Sequence, residues 1–417
     1  MRYRLLVPHL LVFAAACHAS SIFSYHPRGL GYAEWKGDAR TMGMGGVSLA
    51  NSGEDGATSA NPAGIAGCER TALSASFLSQ KRSVKDYLGY AGTFYDQYPR
   101  FFRAVVPIGR GIVSSFGLEP VGDVRMIWAN RNTENGVSYL DSLEASGGAW
   151  SFGAQVARSF GPISLGLKAQ VVRGNMTTEW RRTVVDSAAP LATSALAMRR
   201  ISGAAFSLGS AYRVSEEWAI GGRLDFPSNL SETDITSYGT RIPNQYYKSH
   251  TDVVMAVASD LDDTTSSTAK LPVGFGAGVA WRPGERLLVS LDGEFRRWSD
   301  VDPAFRNTWC VAGGVEFRVS DDYRSFLLWQ LPYRAGVRWE QHYVPALSSH
   351  GGATYPDGKY LTLGAGIPLG RNRGRLDYSV EYSTRGTIST NLVREKLWRH
   401  TISVVGWERW FERSTRR

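Results

Sequence analysis

From Arg70 to Phe411 the chain is made of segments about ten residues long in which apolar and polar side chains alternate. In the stretch 149–160, Trp150, Phe152, Ala154 and Val156 fall on one parity and Ser151, Gly153, Gln155 and Ala157 on the other. In 162–172, Ile163, Leu165, Leu167, Ala169 and Val171 oppose Ser164, Gly166, Lys168 and Gln170. Successive side chains of a strand point to opposite faces, so each segment presents one apolar and one polar face. A soluble sandwich and a transmembrane barrel both satisfy this pattern. The compartment decides between them.

Arg2 and Arg4 precede an apolar run, Leu5 to Ala16, broken by Pro8 and His9 and followed by small residues. This reads as a secretory signal peptide, residues 1–19, cleaved after Ala19. Cys17 behind three alanines is a weaker lipoprotein-type alternative, because the position three before it is Ala14 rather than Leu. No later stretch is apolar for long enough to form a transmembrane helix. An exported chain of this kind crosses a bilayer only as a closed sheet, since backbone polar groups left unpaired in lipid are too costly. The sequence therefore predicts an all-β fold, a transmembrane antiparallel β-barrel in the outer membrane with lipid around it.

Composition agrees. The 417 residues include 45 glycines, aromatics make up 12 %, and no linker or low-complexity stretch interrupts the chain after Gly67. Mean hydropathy is only −0.22, as expected when the lipid face is hidden in alternation rather than in runs. The net charge of +9 comes from scattered residues with no aromatic-interleaved basic stripe, which argues against nucleic acid as a partner. Of three cysteines, Cys17 leaves with the signal, and Cys68 and Cys310 either pair or remain buried thiols.

About fourteen strands follow from the pattern, an even number as bacterial barrels require. They lie near 70–80, 99–108, 111–120, 148–160, 162–174, 200–214, 217–227, 270–282, 286–297, 308–319, 333–341, 359–368, 374–384 and 397–411. Short connections such as Gly109-Arg110, Gly161 and Pro283-Gly284-Glu285 alternate with long ones at 81–98, 121–147, 175–199, 228–269, 298–307, 342–358 and 385–396. Short periplasmic turns and long outer loops are the asymmetry of outer-membrane barrels. One connection, 320–332, falls on the short-turn side yet is long and carries Phe326, Leu327, Leu328 and Trp329. It is either an interfacial segment or an error in the strand count. Trp150, Trp298, Trp309, Trp339 and Trp398 fall near outer strand ends and Trp218, Trp281, Trp407 and Trp410 near inner ends, the expected aromatic girdles.

With the apolar parity facing lipid, the inward parity carries Lys168, Arg223, Asp225, Asp292, Glu294, Arg296, Glu316, Arg318, Arg334, Arg338, Glu340, Arg375, Asp377 and Glu381. Opposite charges fall on adjacent strands, so a structural wall network is favoured over a substrate path. Gly274, Gly276 and Gly278, with Gly203, Ala205, Ser207 and Gly209, leave room inside the barrel. The segment 20–69 is the candidate to fill it. The outer loop 228–269 contains an apolar run, Val253, Val254, Met255 and Val257, that is a candidate contact site.

The same N-terminal segment carries Gly43-Met44-Gly45-Gly46 and Asn61-Pro62-Ala63-Gly64. No strand precedes the glycines and no Lys-Ser/Thr follows, so a phosphate loop is not indicated. Glu54-Asp55 lacks the spacing of a calcium loop. The run Ala39 to Gly67 instead resembles the N-terminal plug of the FadL-like outer-membrane proteins, including their PorV-like branch. That resemblance implies a fourteen-strand barrel with an N-terminal hatch, with Gly43, Gly45, Gly46, Asn61, Pro62, Ala63 and Gly64 as plug or gating residues. It further implies a plug at 20–69, a barrel at 70–411 and a short basic periplasmic tail at 412–417. The aromatic-ended last strand resembles the signal read by the barrel-assembly machinery, a partner during biogenesis. FadL-like members take up long-chain fatty acids and other hydrophobic compounds, whereas PorV-like members serve protein secretion and surface attachment. The expected function is uptake of hydrophobic small molecules, with a protein-binding secretion barrel as the alternative. No catalytic constellation, metal spacing or cofactor motif accompanies the seven histidines, so an enzyme is not expected.

Overall fold

The computed structural model describes residues 21–33, 37–51, 60–185, 192–242, 253–255, 263–320, 324–346, 352–369 and 373–408. Fourteen antiparallel staves close into a barrel. They are β1 (Thr71–Asp86), β2 (Ala91–Gly109), β3 (Ile112–Glu134), β4 (Val137–Phe160), β5 (Ile163–Val184) and β6 (Ala192–Arg213). Stave β7 runs in two pieces, Trp218–Asp225 and Ser228–Ile242, and β8 likewise, Asp263–Leu271 and Gly274–Trp281. The remainder are β9 (Leu287–Arg296), β10 (Thr308–Arg318), β11 (Pro332–Gln341), β12 (Asp357–Leu369), β13 (Gly374–Arg385) and β14 (Val393–Glu408). Pro227 and Pro272 lie in the breaks of β7 and β8, where a residue without an N–H cannot continue the ladder. The barrel closes where β14 pairs with β1 without interruption from Glu408↔Thr71 to Val393↔Asp86.

The two rims differ in kind. On one, staves join through tight turns such as Arg110-Gly111 and Gly161-Pro162. On the other, the expected long loops at 81–98, 121–147 and 175–199 are largely strand, and much of 228–269 is as well. The pairs β1–β2, β3–β4 and β5–β6 run on as hairpins, with β4 reaching 24 residues. A tilted strand needs about 9–11 residues to cross a bilayer, so more than half of β4 rises above it. Apolar alternation is weak there because the outer ends of the hairpins are wetted on both faces and the buried positions nearer the wall include polar residues such as Arg82, Asp96 and Arg199. The β3–β4 tip is the two-residue turn Asn135-Gly136, with φ of 51° and 79°. Asn-Gly is the pair that adopts this mirror-image turn most readily.

Side chains sort by parity as the alternation requires. Phe152, Leu167, Leu291, Val337 and Leu363 are exposed on the outside, and each is at least half exposed to solvent. Their neighbours Ser151, Lys168, Asp292 and Arg338 are buried inside. Trp218 and Trp281 stack outside at the short-turn rim, with centroids 5.7 Å apart. Two tryptophans depart from the girdle expectation. Trp298 is buried, and Trp407 faces inward beneath the apolar cluster of Ile65, Ala72, Val105 and Val113. Trp410 and Phe411 lie outside the described residues. No disulfide joins Cys68 and Cys310. Both are buried thiols, Cys68 in the basal apolar cluster and Cys310 on β10.

Among the described residues the wall parts between β2 and β3. Stave β2 pairs with β3 only from Phe102↔Leu118 to Gly109↔Ile112. Above that level residues 91–101 pair with β1 alone, while β3 continues upward paired with β4. Continuing the register would set Arg100 opposite Pro120 and Pro99 opposite Val121. Two prolines on adjacent rungs remove the donors the ladder needs. Both strands shift register here, β2 against β1 beside Phe77 and β3 against β4 between Pro120 and Gly122.

Candidate functional site

Residues 21–33, 37–51 and 60–68 lie against the inner wall. Their backbone comes so close that the wall must be glycine at the contacts. A Cβ on Gly364 would stand 3.1 Å from the Gly43 Cα, and one on Gly276 would stand 3.0 Å from Leu49. Side chains at Gly221, Gly314 and Gly336 would overlap the backbone of Leu49, Met44 and Gly45. The small residues on the inward parity therefore seat a polypeptide rather than line an open channel. Gly209 faces Asn61 and Ala63, and Gly278 faces Leu49, whereas Gly203 and Gly274 face the wall's own Leu230 and Asp225.

The first anchor is α1 (Ala39–Gly43), capped by Asp38, whose Oδ1 accepts from the Thr41 N at 2.9 Å. The Ala39 N donates to Ser403 of β14 at 2.7 Å. Arg40 forms a two-pronged pair with Glu316 of β10, at 2.9 and 3.1 Å. Beyond the helix the glycines bind by main chain. The Gly45 N donates to the Thr362 Oγ1 of β12 at 2.9 Å, and the same hydroxyl donates to the Gly43 O at 3.0 Å. Arg338 of β11 reaches the Gly45 O at 3.2 Å. The Gly46 N closes the turn onto the Thr41 O at 2.9 Å.

Asp292 of β9 accepts from two successive amides, Ser48 at 2.6 Å and Leu49 at 2.9 Å. Asn61 then ties three pieces together. Its Nδ2 donates to the Leu49 O and to the Ser210 O of β6, both at 2.8 Å, while its Oδ1 accepts from the Ala63 N at 3.0 Å. That cap starts the single turn Pro62–Ile65, with Pro62 where an N–H would be wasted and the Gly64 N on the Asn61 O. Arg223 of β7 donates to the Ala60 O at 2.8 Å. Asp38, Arg40, Thr362 and Ser403 did not stand out in the sequence. A lone arginine inside a segment of small residues was the available signal for Arg40.

Behind the segment the inward charges pair around the wall. Arg223 meets Glu294 at 2.9 Å and Asp225 at 3.2 Å. Arg296 lies 3.6 Å from Glu294 and 3.8 Å from Asp225. Glu316 also takes Arg334, at 2.6 Å, and Arg334 bridges to Asp377 at 2.7 Å. Glu381 joins Arg338 at 3.0 Å and Arg399 at 3.3 Å. Lys168 and Arg103 share Glu119. Arg318 ends β10 opposite Pro332.

Toward the long-hairpin rim one side of the interior carries an apolar cluster, with buried charges such as Arg82, Arg385 and Glu395 on the other. Leu30, Val124, Ala145, Val172, Ile201, Leu230, Trp298, Phe305 and Tyr343 form one cluster. Trp298 stacks on Tyr343 at 3.7 Å, and the Tyr343 Oη accepts from the Leu30 N and donates to the Gly31 O. His342, just past the end of β11, is buried against Tyr32, with its Nε2 2.7 Å from the Phe23 O. Burial pushes its imidazole down to about 3, so it is neutral at ordinary pH.

The segment also lies on the split in the wall. Tyr32 and Ala33 pair with Asp123 and Gly122 on the β3 edge that β2 leaves free. Ser24 bonds the Arg125 N at 3.0 Å, and Arg125 reaches across to Asp96 of β2 at 3.3 Å. Of the outer-loop candidates, Val253, Val254 and Met255 form a short strand paired with residues 240–242. Val257 lies outside the described residues. No group of metal-ligating side chains is present among the described residues.

A family model described as BamG matches residues 1–415. No curated protein matches the chain in sequence. Among solved structures, a Pseudomonas aeruginosa FadL homologue is 16 % identical over 90 % of this chain and 99 % of its own, with a TM-score of 0.60. The Pseudomonas putida toluene transporter TodX is 14 % identical over 91 % of this chain and all of its own, with a TM-score of 0.57. The Ralstonia pickettii toluene transporter TbuX is 14 % identical over 89 % of this chain and 99 % of its own, with a TM-score of 0.58. The shared property at these identities is the fold, a FadL-like barrel.

Proposed function

The chain belongs to the BamG family, and from that premise we propose that it is an outer-membrane barrel through which hydrophobic small molecules enter and leave sideways into the membrane. The observation that carries this reading is the split between β2 and β3 above Leu118. An axial route would have to pass the N-terminal segment and the ion-paired wall, and neither suits an apolar solute. The split is covered only by the short Tyr32–Ala33 pairing and the Arg125–Asp96 contact, and displacing them would open the wall next to the apolar cluster around Leu30 and Val124. In this reading residues 1–19 are removed as a signal, 20–69 act as the plug, 70–411 are the membrane body and 412–417 are a periplasmic tail. The long hairpins then stand on the cell surface. The toluene channels of similar fold handle molecules of the same apolar class. Long-chain fatty acids are a second candidate class.

The test is uptake of labelled toluene and of a labelled fatty acid into proteoliposomes. Replacing Pro99 and Pro120 by valine restores two donors and lets the ladder zip further. Uptake should fall several-fold in the doubly substituted barrel while its heat-modifiable mobility is kept. Equal rates in the parent, the variant and empty liposomes would sink the reading. Deleting 252–259, which holds the Val253–Met255 candidate, should slow entry without affecting folding.

A second reading has its own support. The interior under the long hairpins is packed around Trp298, Phe305 and Tyr343, as suits a rigid platform for a protein partner. The family's name points the same way, toward the barrel-assembly machinery. Site-specific crosslinking from the β3–β4 tip separates the two: one recurrent protein partner together with unchanged solute flux favours the platform.

A further inference from the structure

Every short-turn connection among the described residues is brief except the one between β10 and β11. There, α2 (Leu327–Gln330) and the preceding Phe326 hold four large apolar side chains in the open. Phe326 is 64 % exposed, Leu327 52 %, Leu328 50 % and Trp329 56 %. The segment is held in place. The Ser320 N donates to the Trp329 O at 2.8 Å, the Trp329 N to the Phe326 O at 2.8 Å, and the Gln330 amide to the Ser325 O. The Tyr333 Oη donates to the Leu328 O at 2.8 Å. A hydrogen-bonded turn thus presents apolar groups that a simple reversal of the chain does not need.

The surroundings identify the occupant. Tyr333 is the first outward residue of β11 and pairs with Phe317 of β10, and both are exposed on the lipid-facing parity. Val319, Ile367 and Leu369 end the neighbouring outward stripes, also exposed. The turn therefore continues the membrane-facing surface of the barrel directly, joined to it by the Tyr333 hydroxyl. Tryptophan beside tyrosine at such a level is the composition of a membrane–water interface. A short, strongly apolar element at that height lies in the interface rather than across it.

We propose that Phe326 and α2 form an interfacial foot that inserts into the phospholipid leaflet on the short-turn side. The foot sets the height of the barrel on this flank and occupies lipid that the brief turns elsewhere do not reach.

The experiment uses the full barrel in nanodiscs of phosphatidylethanolamine and phosphatidylglycerol, with Cys68 and Cys310 replaced by alanine. A bimane label is attached at Leu328→Cys and, as a water-exposed control, at Gly284→Cys in the β8–β9 turn. A nitroxide near the lipid headgroup should remove most of the fluorescence at Leu328→Cys and little at the control, with aqueous iodide giving the reverse order. Iodide quenching at Leu328→Cys equal to the control, with no effect of lipid nitroxides, overturns the proposal and leaves a protein as the occupant. Heat-modifiable migration verifies folding, and Trp329→Cys replaces Leu328→Cys should that variant fail to fold.

Discussion

At the scale of single residues, the N-terminal segment is held by a few polar groups whose partners are all buried. Asn61 satisfies two carbonyls and one amide at once. Asn61→Ala strands those groups, and an unsatisfied buried polar group costs about 1–3 kcal/mol. Docking of the segment should weaken by roughly 2–4 kcal/mol on that basis. The check is hydrogen exchange at residues 48–51 and 63–66, which should speed up while strand amides stay protected. His342 makes a second prediction, for pH. Its burial lowers the imidazole to about 3 from an ordinary 6.5, so the undocked state binds the proton more readily. The stabilisation is complete above pH 6.5 and is lost progressively as pH falls toward 3. Each unit removes at most about 1.4 kcal/mol. Limited proteolysis of the segment should therefore be faster at pH 5 than at pH 7.5, and His342→Gln, which keeps a donor for the Phe23 carbonyl but does not titrate, should shrink the difference, with any remainder from His26, whose imidazole burial also lowers. These residues differed in how far the sequence exposed them. Asn61-Pro62-Ala63-Gly64 stood out as a motif, whereas Arg40, Thr362 and Ser403 are of common types, and only their positions in space make them anchors.

At the scale of elements, alternation located the membrane-crossing portion of every stave and failed above it. Residues 127–134 and 137–142 are strands without a buried face, since water bathes both sides and selects no parity, while nearer the wall Val124, Leu143 and Ala145 are buried. The Asn135-Gly136 turn was the local sign that they form a hairpin. Gly136→Val places a β-branched residue at a φ of 79°, so the tip should fray and become protease-sensitive while the heat-modifiable barrel persists. Circular dichroism and a protease time course would record both outcomes. The split between β2 and β3 was legible in principle, because Pro99 and Pro120 sit inside two segments that otherwise read as strands. Recognising it required knowing the register, which brings the two prolines to adjacent rungs. The connection 320–332 is a real insertion with its own helical turn, and the strand count stands.

At the scale of the molecule, closure by β14 on β1 makes the wall a continuous hydrogen-bonded ring at its base, independent of what lies inside. Deleting residues 21–67 should thus leave a barrel that still inserts and still shifts mobility on heating. The lumen it vacates should conduct. Planar-bilayer recordings are expected to show ion currents in the truncated barrel and none, or far smaller ones, in the parent; equal silence in both would mean that the ion-paired wall alone seals the lumen. That wall is not itself an argument for stability, because desolvating charges offsets much of their attraction. Removing one partner is another matter. Arg334, which serves both Glu316 and Asp377, should be among the least replaceable residues of the interior.

What the sequence determined by itself follows from periodicity and from the cost of unpaired backbone in lipid: an all-β barrel chain, its faces, its approximate strand number and a segment suited to the lumen. These are one-dimensional properties, because parity and spacing survive without knowledge of what lies opposite. Only the tertiary structure decided which glycines the segment rests on, which carboxylates its amides reach, where the wall parts and which apolar turn is left uncovered. Each of those depends on contacts between residues far apart in the chain, and their partners are set by the strand register and by barrel closure.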